Sequence, residues 1–267
     1  MSEPTRQTQI DAASAYEALM VPALFGQWAP KLADAAQIRP GQRVLDAACG
    51  TGVLAREVAS RTGPTGVVAG LDPSPGMLEV AKRLEPAVEW REGVAEALPF
   101  PDQSLDVVVS QFGLMFFQDR GQALREMLRV LVPGGRVAVG VWDSLDRNSA
   151  YAAEVGLLER VAGRPAADAL RAPFVLGNRH DLVAMFRDAG VASVEVLTDR
   201  GAARFPSARV MVEADLRGWL PVMGVVLLEE QISRILNEAE HVLSPYVTTD
   251  GTVAFATSAH IIMGTRP

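Results

Sequence analysis

Asp46, Ala48, Gly50, Gly52 and Asp72 are the residues of this 267-residue chain whose types and spacing best suit chemistry. The segment Arg43-Val44-Leu45 reads as a strand and runs into Asp46-Ala47-Ala48-Cys49-Gly50-Thr51-Gly52, after which a helical pattern begins. Glycines permit a tight turn and let a ligand approach the backbone with no Cβ in the way. Amides exposed at a helix start can donate hydrogen bonds to a carboxylate or a phosphate. Asp72 follows Gly52 by 20 residues and ends the second predicted strand. An acid at that distance is placed to accept both hydroxyls of an adenosine ribose. These features alone leave the cofactor open, because Gly50-Thr51-Gly52-Val53-Leu54-Ala55 also satisfies the looser dinucleotide pattern of a nicotinamide enzyme.

Three histidines are candidate proton acceptors. His180 begins a helix beside Asp181, which favours a capping or solvent-facing role. His260 falls in the last predicted strand, where a satisfied core histidine is the simpler reading. His241 lies in a helix between the apolar positions Ala239 and Val242 and is the catalytic candidate of the three. No grouping of His, Asp and Glu has metal-ligand spacing, so no metal is expected.

The elements that must position these residues alternate between short apolar strands and helices. Strands are predicted over 43–47, 67–71, 88–90, 105–112, 136–142, 193–197 and 252–264, with helices over 52–61, 120–131 and 181–188. The run Val107-Val108-Val109 marks a central strand covered on both faces. Pro73-Ser74-Pro75 opens one helix and Pro133-Gly134-Gly135 stops another. The fold class is therefore α/β, a Rossmann-like, seven-stranded, mostly parallel sheet with helices on both faces and an antiparallel last strand. A single domain over 1–267 is expected, with 149–175 and 207–249 as helical insertions outside the rhythm. In the second, Leu228, Ile232, Ile235, Leu236, Ala239, Val242 and Leu243 form one apolar helical stripe. Ligands of open α/β sheets bind at the carboxyl edge, so both insertions are read as a lid.

Composition narrows the partners. The net charge of -7 with scattered basic residues argues against a nucleic-acid partner. A single cysteine, Cys49, excludes an internal disulfide and fits a reducing compartment. The first residues lack the apolar core of a secretion signal, and no apolar run reaches the roughly 20 residues that a membrane-spanning helix needs. A cytoplasmic protein is expected. Oligomeric state is not written in the sequence.

Four segments in order, "VLDAACGTG", "GLDPSPGML", "GVAEALPFPDQSLDVVVS" and "LVPGGRVAV", resemble the class I methyltransferases, in particular the small-molecule branch that includes the ubiquinone/menaquinone-biosynthesis type. The resemblance spans about 43–142 and extends more loosely to 16–32. It implies S-adenosyl-L-methionine as cofactor and a small-molecule acceptor. It also implies Asp46 near the cofactor's ammonium, and the backbone of Ala48, Gly50 and Gly52 along its methionine and ribose portions. Asp72 becomes the ribose acid, with Pro73 beside it and Met77 flanking the adenine. Ala95 would meet the adenine edge, while Val94 stands where the family commonly has an aspartate. Gln111 and Phe112 would border the reacting methyl. Tyr16, Phe25 and Trp28 lie on a segment that packs over the cleft in the family, with Tyr16 reaching the cofactor or the substrate and the other two facing the substrate.

Phe205, Trp219, Leu220, Met223, Val225 and Val226 in and near the second insertion point to an apolar or aromatic acceptor, with Trp219 and Met223 as substrate contacts. Two alternatives stand beside methyl transfer. One is a nicotinamide-dependent oxidoreductase, although no tyrosine is followed four residues later by the lysine that one large dehydrogenase family uses. The other is a non-catalytic protein that binds S-adenosylmethionine.

Overall fold

The computed structural model describes residues 5–267. Seven strands form one sheet in the order β3-β2-β1-β4-β5-β7-β6. They are β1 (Arg43–Ala47), β2 (Val67–Asp72), β3 (Glu89–Glu92), β4 (Leu105–Gln111), β5 (Leu131–Trp142), β6 (Ala192–Phe205) and β7 (Val253–Thr265). The pairs β1–β2, β1–β4, β2–β3 and β4–β5 are parallel. β7 runs antiparallel: Arg266 exchanges backbone hydrogen bonds with Gly134 and Gly135, while Ser258 accepts from Asp143 at the other end of β5. The α/β class and the antiparallel last strand agree with the sequence reading.

Among the described residues eleven α-helical segments accompany the sheet: α1 (Arg6–Met20), α2 (Trp28–Ala35), α3 (Val53–Thr62), α4 (Pro75–Leu84), α5 (Arg120–Val130), α6 (Ser149–Ala162), α7 (Arg164–Arg171), α8 (Arg179–Asp188), α9 (Ala208–Ala214), the single turn α10 (Leu220–Val222) and α11 (Glu229–Val242). Their starts follow side-chain chemistry. Ser74 caps α4 by accepting from the Met77 amide, with Pro75 at the first helical position, and Asp119 caps α5 by accepting from Gln122. Asn178 accepts from the His180 and Asp181 amides at the start of α8.

Val107, Val108 and Val109 are fully buried at the centre of the sheet. Burying such a side chain contributes about 1.5–3 kcal/mol, which is why this run fixes the strand so firmly. One face of the sheet packs Val44, Val68, Val107, Val109 and Ala138 against Leu32 of α2 and Leu54, Ala55 and Val58 of α3.

The edges depart from expectation. β6 has 14 residues where five were predicted, and β3 is displaced to Glu89–Glu92. Both are edge strands, so one side of each meets solvent and the apolar signal fades; along β6 only Val196, Ala203 and Phe205 are buried. α5 stops at Val130, and β5 begins at once rather than at 136, carrying Pro133-Gly134-Gly135 through a register shift between Leu105 and Val107. Along α11 the buried stripe is Ile232, Ile235, Leu236 and Ala239, continued by Leu243 just past its end. Leu228 is 70% exposed and precedes the helix as its cap residue, so it is not part of that stripe.

The chain divides into two compact units. The first comprises the chain through Val141, Asn178–Asp199 and His260–Pro267. The second comprises Trp142–Gly177 and Arg200–Ala259, and so includes both helical insertions. Within the second unit Tyr151 packs against Phe174 and edge-on against Phe255, which also stacks on Phe205. Asn148, fully buried, pins the start of α6 by bonding the backbone of Asp143, Ser144 and Ser258. Among the described residues no helix is long and apolar enough to cross a membrane, and no group of three or more His, Cys, Asp or Glu is arranged to hold a metal ion.

Candidate functional site

The site in the first unit is built where β1 and β2 end. Asp46 on β1 is paired in register with Gly70 on β2 and Val109 on β4, and Gly70 in turn with Trp90 on β3. Adjacent partners in parallel strands share a face, so Asp46 belongs to the face covered by α3. Its carboxylate is 1% exposed, and neither oxygen has a hydrogen-bond partner. Burial pushes this carboxyl well above the usual range; the Ala55 amide, near it but short of a full hydrogen bond, opposes the shift, and Asp72 reinforces it. A buried acid without a counter-charge is expensive, and it becomes favourable only where a cation or donor arrives.

Beyond Asp46 the chain makes a turn in which Ala48, Gly50 and Gly52 all have positive φ, at 57°, 55° and 85°. Two cross-links hold the turn to β2: the Cys49 amide donates to the Leu71 carbonyl at 3.0 Å, and the Gly50 amide donates to Asp72 Oδ2 at 2.8 Å. Asp72 Oδ1 accepts from the Ser74 amide at 2.9 Å. Burial raises the Asp72 carboxyl above its ordinary value, and the Ser74 and Gly50 amides pull it back. The glycines serve different ends. A Cβ on Gly50 would have no neighbour within 4 Å, so the loop opens there onto free space, whereas a Cβ on Gly52 would lie 2.3 Å from the Trp90 ring.

Aromatic side chains gather near the turn. Tyr16 lies 5.5 Å from Phe25, Phe25 lies 5.7 Å from Phe112, and Trp28 meets Phe112 edge-on at 5.8 Å between ring centroids. Phe112 has φ 56°, a conformation that a bulky residue adopts only when its surroundings impose it, and its amide donates to the Gly140 carbonyl. Gln111 donates to the Phe25 carbonyl at 3.2 Å while its Oε1 is unpartnered. The Tyr16 hydroxyl is pushed above its ordinary range by burial, then by the charges of Glu17 and Asp72.

The structure thus brings together Tyr16, Phe25, Trp28, Asp46, Ala48, Gly50, Gly52, Asp72, Gln111 and Phe112 in one unit. The Gly93 amide donates to the Asp72 carbonyl and draws the following stretch to the same strand end, with Ala95 buried and Val94 47% exposed. Pro73 is exposed, and Met77 packs on Ile10 and Ala13 of α1 and Val80 of α4. His260 bonds Thr198 at 2.8 Å between β7 and β6. The other candidates belong to the second unit. His241 is exposed in the last turn of α11, Met223 is half-buried, and Trp219 is half-buried with its indole N–H donating to the Ala169 carbonyl at 2.8 Å.

Sequence reasoning missed Arg56 and Glu17. The Arg56 guanidinium donates to the Thr51 carbonyl in the turn and to Glu17 on α1, both at 2.7 Å, and so ties α1 to the loop. Both are charged residues on helix faces, and nothing in their spacing separates them from solvated positions.

These residues fit a cofactor with a cationic amino-acid end. Asp46 offers a buried negative group to an ammonium, Asp72 keeps acceptor capacity for a ribose diol, and Gly50 leaves room for close approach. A pyrophosphate would instead meet two buried carboxyls and a Gly50 amide already donating to one of them.

Known proteins resemble this chain in sequence and in fold. Residues 45–139 match the family model described as a methyltransferase domain. A ubiquinone/menaquinone biosynthesis C-methyltransferase of Ectopseudomonas mendocina is 48% identical over 108 residues, covering 38% of this chain and 42% of that protein. An uncharacterized 37.1 kDa protein in transposon Tn4556 of Streptomyces fradiae is 34% identical over 229 residues, covering 79% of this chain and 62% of that protein. The chain therefore spans about half the length of these relatives. Among solved structures, a phosphoethanolamine N-methyltransferase 2 of Haemonchus contortus with bound S-adenosylhomocysteine superposes with a TM-score of 0.59 at 19% identity, over 98% of this chain and 59% of that one. This last likeness shows the fold.

Proposed function

We propose that the chain is a class I methyltransferase whose cofactor is S-adenosyl-L-methionine, and that it transfers the cofactor's methyl group to a small apolar or aromatic acceptor, of quinone type; the methyltransferase-domain match over residues 45–139 supports the reading. The observation that carries the reading is the buried, unpartnered carboxylate of Asp46 beside a glycine turn that opens at Gly50. The quinone-related names of the relatives support the acceptor class.

When bound, S-adenosyl-L-methionine supplies a methyl on a positively charged sulfur, open to in-line displacement by a nucleophile. The chain's own residues bind and orient. Asp46 pairs with the ammonium, Asp72 accepts the ribose hydroxyls, and the backbone at Ala48, Gly50 and Gly52 follows the ligand. Gln111 and Phe112, with Tyr16, Phe25 and Trp28, border the reacting end. Aromatic faces there favour the sulfonium and exclude water, which speeds charge-neutralising attack. Holding the partners in line is worth about 7–11 kcal/mol in well-oriented systems, so no metal is required by this scheme.

Titration with S-adenosylhomocysteine and with NADH tests the cofactor. We expect saturable binding of the first and none of the second; tight NADH binding with no S-adenosylhomocysteine binding overturns the reading. A panel of phenols, amines and quinone precursors with labelled cofactor tests transfer. Saturating cofactor without methylation of any of them would leave a binding protein.

A further inference from the structure

Two glycines at separate places in the chain lack a Cβ for the same reason. A Cβ on Gly52, in the turn, would sit 2.3 Å from Trp90 Cη2; one on Gly70, in the middle of β2, would sit 2.4 Å from Trp90 Cζ3 and 2.5 Å from Cε3. Real Cβ atoms do not approach that closely, so the six-membered half of this indole occupies the space that both side chains would need. A glycine inside a strand weakens it, and it marks close approach by another group. Trp90 is the group here. Its strand partner in register is Gly70 itself, and its Nε1 donates to the Glu85 carbonyl at 2.9 Å, which fixes the ring plane from the end of α4.

The ring thus lies against the turn from below, at Gly52, while the turn opens at Gly50, where a Cβ would meet nothing. Three positive-φ residues, Ala48, Gly50 and Gly52, must be held in a conformation that is costly for the first and entropically unfavourable for the other two. Such backbone persists only where packing over-determines it. The Cys49 thiol takes part, since it would lie 3.0 Å from the same Cβ on Gly70.

We infer that Trp90 is a positioning residue for the cofactor turn, an indole floor wedged under Gly52 and across Gly70 that sets the turn's shape for S-adenosylmethionine. The inference rests on the cofactor assignment above and adds to it a residue that acts through the backbone of the turn.

A double-mutant cycle read by S-adenosylhomocysteine affinity tests it in the full chain. Trp90→Leu removes the floor, and Gly70→Ala drives a methyl into it. Each is expected to weaken binding about tenfold. The double variant is expected to bind about as well as Trp90→Leu, because the added methyl then meets no ring and only the Cys49 thiol at 3.0 Å, which needs to yield by a few tenths of an ångström; contacting residues show such coupling, whereas independent sites multiply. Trp90→Phe, which keeps part of the ring, is expected to recover most of the affinity and serves if Trp90→Leu folds poorly. Melting temperatures without ligand are measured alongside. Variants that melt earlier yet bind S-adenosylhomocysteine like the parent, or two effects that simply multiply, overturn the assignment of Trp90 alone. A parent protein that binds no S-adenosylhomocysteine overturns the cofactor reading itself, and the floor's purpose with it.

Discussion

The Gly50 amide donates to the Asp72 carboxylate at 2.8 Å, so the turn after β1 is tied to the end of β2 through that acid. On the proposed reading one carboxylate does two things: it accepts the ribose hydroxyls, and it holds the turn through the Gly50 amide. Asp72→Ala removes both roles. We expect S-adenosylhomocysteine affinity to fall by about 2–3 kcal/mol, the usual cost of losing a hydrogen-bond partner that bears charge. Asp72→Asn, which keeps an oxygen for the Gly50 amide, should lose less. Calorimetric titration measures both, and equal affinity for parent and Asp72→Ala would refute the ribose assignment.

The two glycines of the turn separate by their backs. Gly50→Ala puts a methyl into open space, so its structural cost is the positive φ alone, about 1 kcal/mol. On the proposed reading that methyl enters the ligand's space, so S-adenosylhomocysteine binding should fall far more than thermal stability. Gly52→Ala adds a collision with the Trp90 ring and should lower the melting temperature more than Gly50→Ala does. Thermal unfolding of both variants, with and without ligand, checks the order.

Asp46 gives the site a pH dependence whose sign is fixed. Burial, with help from Asp72 and against the Ala55 amide, holds its carboxyl well above the usual range. The folded protein then keeps a proton that the unfolded chain releases near pH 4, so this group's contribution to stability shrinks as pH rises from about 4 toward the raised value. An incoming ammonium favours the ionised form. S-adenosylhomocysteine affinity should therefore rise with pH between 5 and 8 in the parent. Asp46→Asn should bind more weakly, with a flat pH profile, and should stabilise the ligand-free protein at neutral pH. A parent profile as flat as the variant's would remove the ammonium from this position.

Much of this site was legible because the residues that build it break local rules. Asp46 is charged at the end of an apolar strand, Gly50 and Gly52 interrupt a strand-to-helix junction, and Asp72 ends the next strand at the expected distance. The central strands were legible from runs such as Val107-Val108-Val109, since burial on both faces leaves only apolar side chains. The long edge strand β6 was not, because half of its surface meets solvent and its sequence there is that of a loop. Trp90 hid for the opposite reason, as an aromatic in a short strand reads as ordinary core. Gly70 was the available signal: a glycine inside β2 with no turn to make. Arg56 and Glu17 left no signal at all, because a salt bridge between two helix faces depends on tertiary placement.

The second unit carries its own titration, independent of any ligand. Glu154 on α6 and Asp215, just after α9, are both buried, and neither Glu154 oxygen nor Asp215 Oδ2 has a donor. As two carboxylates they can only repel; as a pair holding one proton, one donates to the other. Desolvation raises both, Glu154 well above its usual range and Asp215 to about 7, with Tyr151 the other titratable group whose charge couples to theirs. The arginines of the packed helices pair with acids at the surface instead: Arg160 with Glu238, Arg171 with Glu159, Arg217 with Glu229. With raised folded values, the stabilisation is full below the unfolded carboxylate pKa near 4 and is lost as pH climbs toward about 7. Glu154→Gln supplies a permanent donor to Asp215 without needing a proton. It should flatten the fall in melting temperature between pH 5 and 8 and raise the melting temperature at pH 8. Glu154→Leu, which strands Asp215 beside a hydrocarbon, should not gain at pH 8. If parent and Glu154→Gln melt with the same pH slope, the pair does not share a proton in the folded chain.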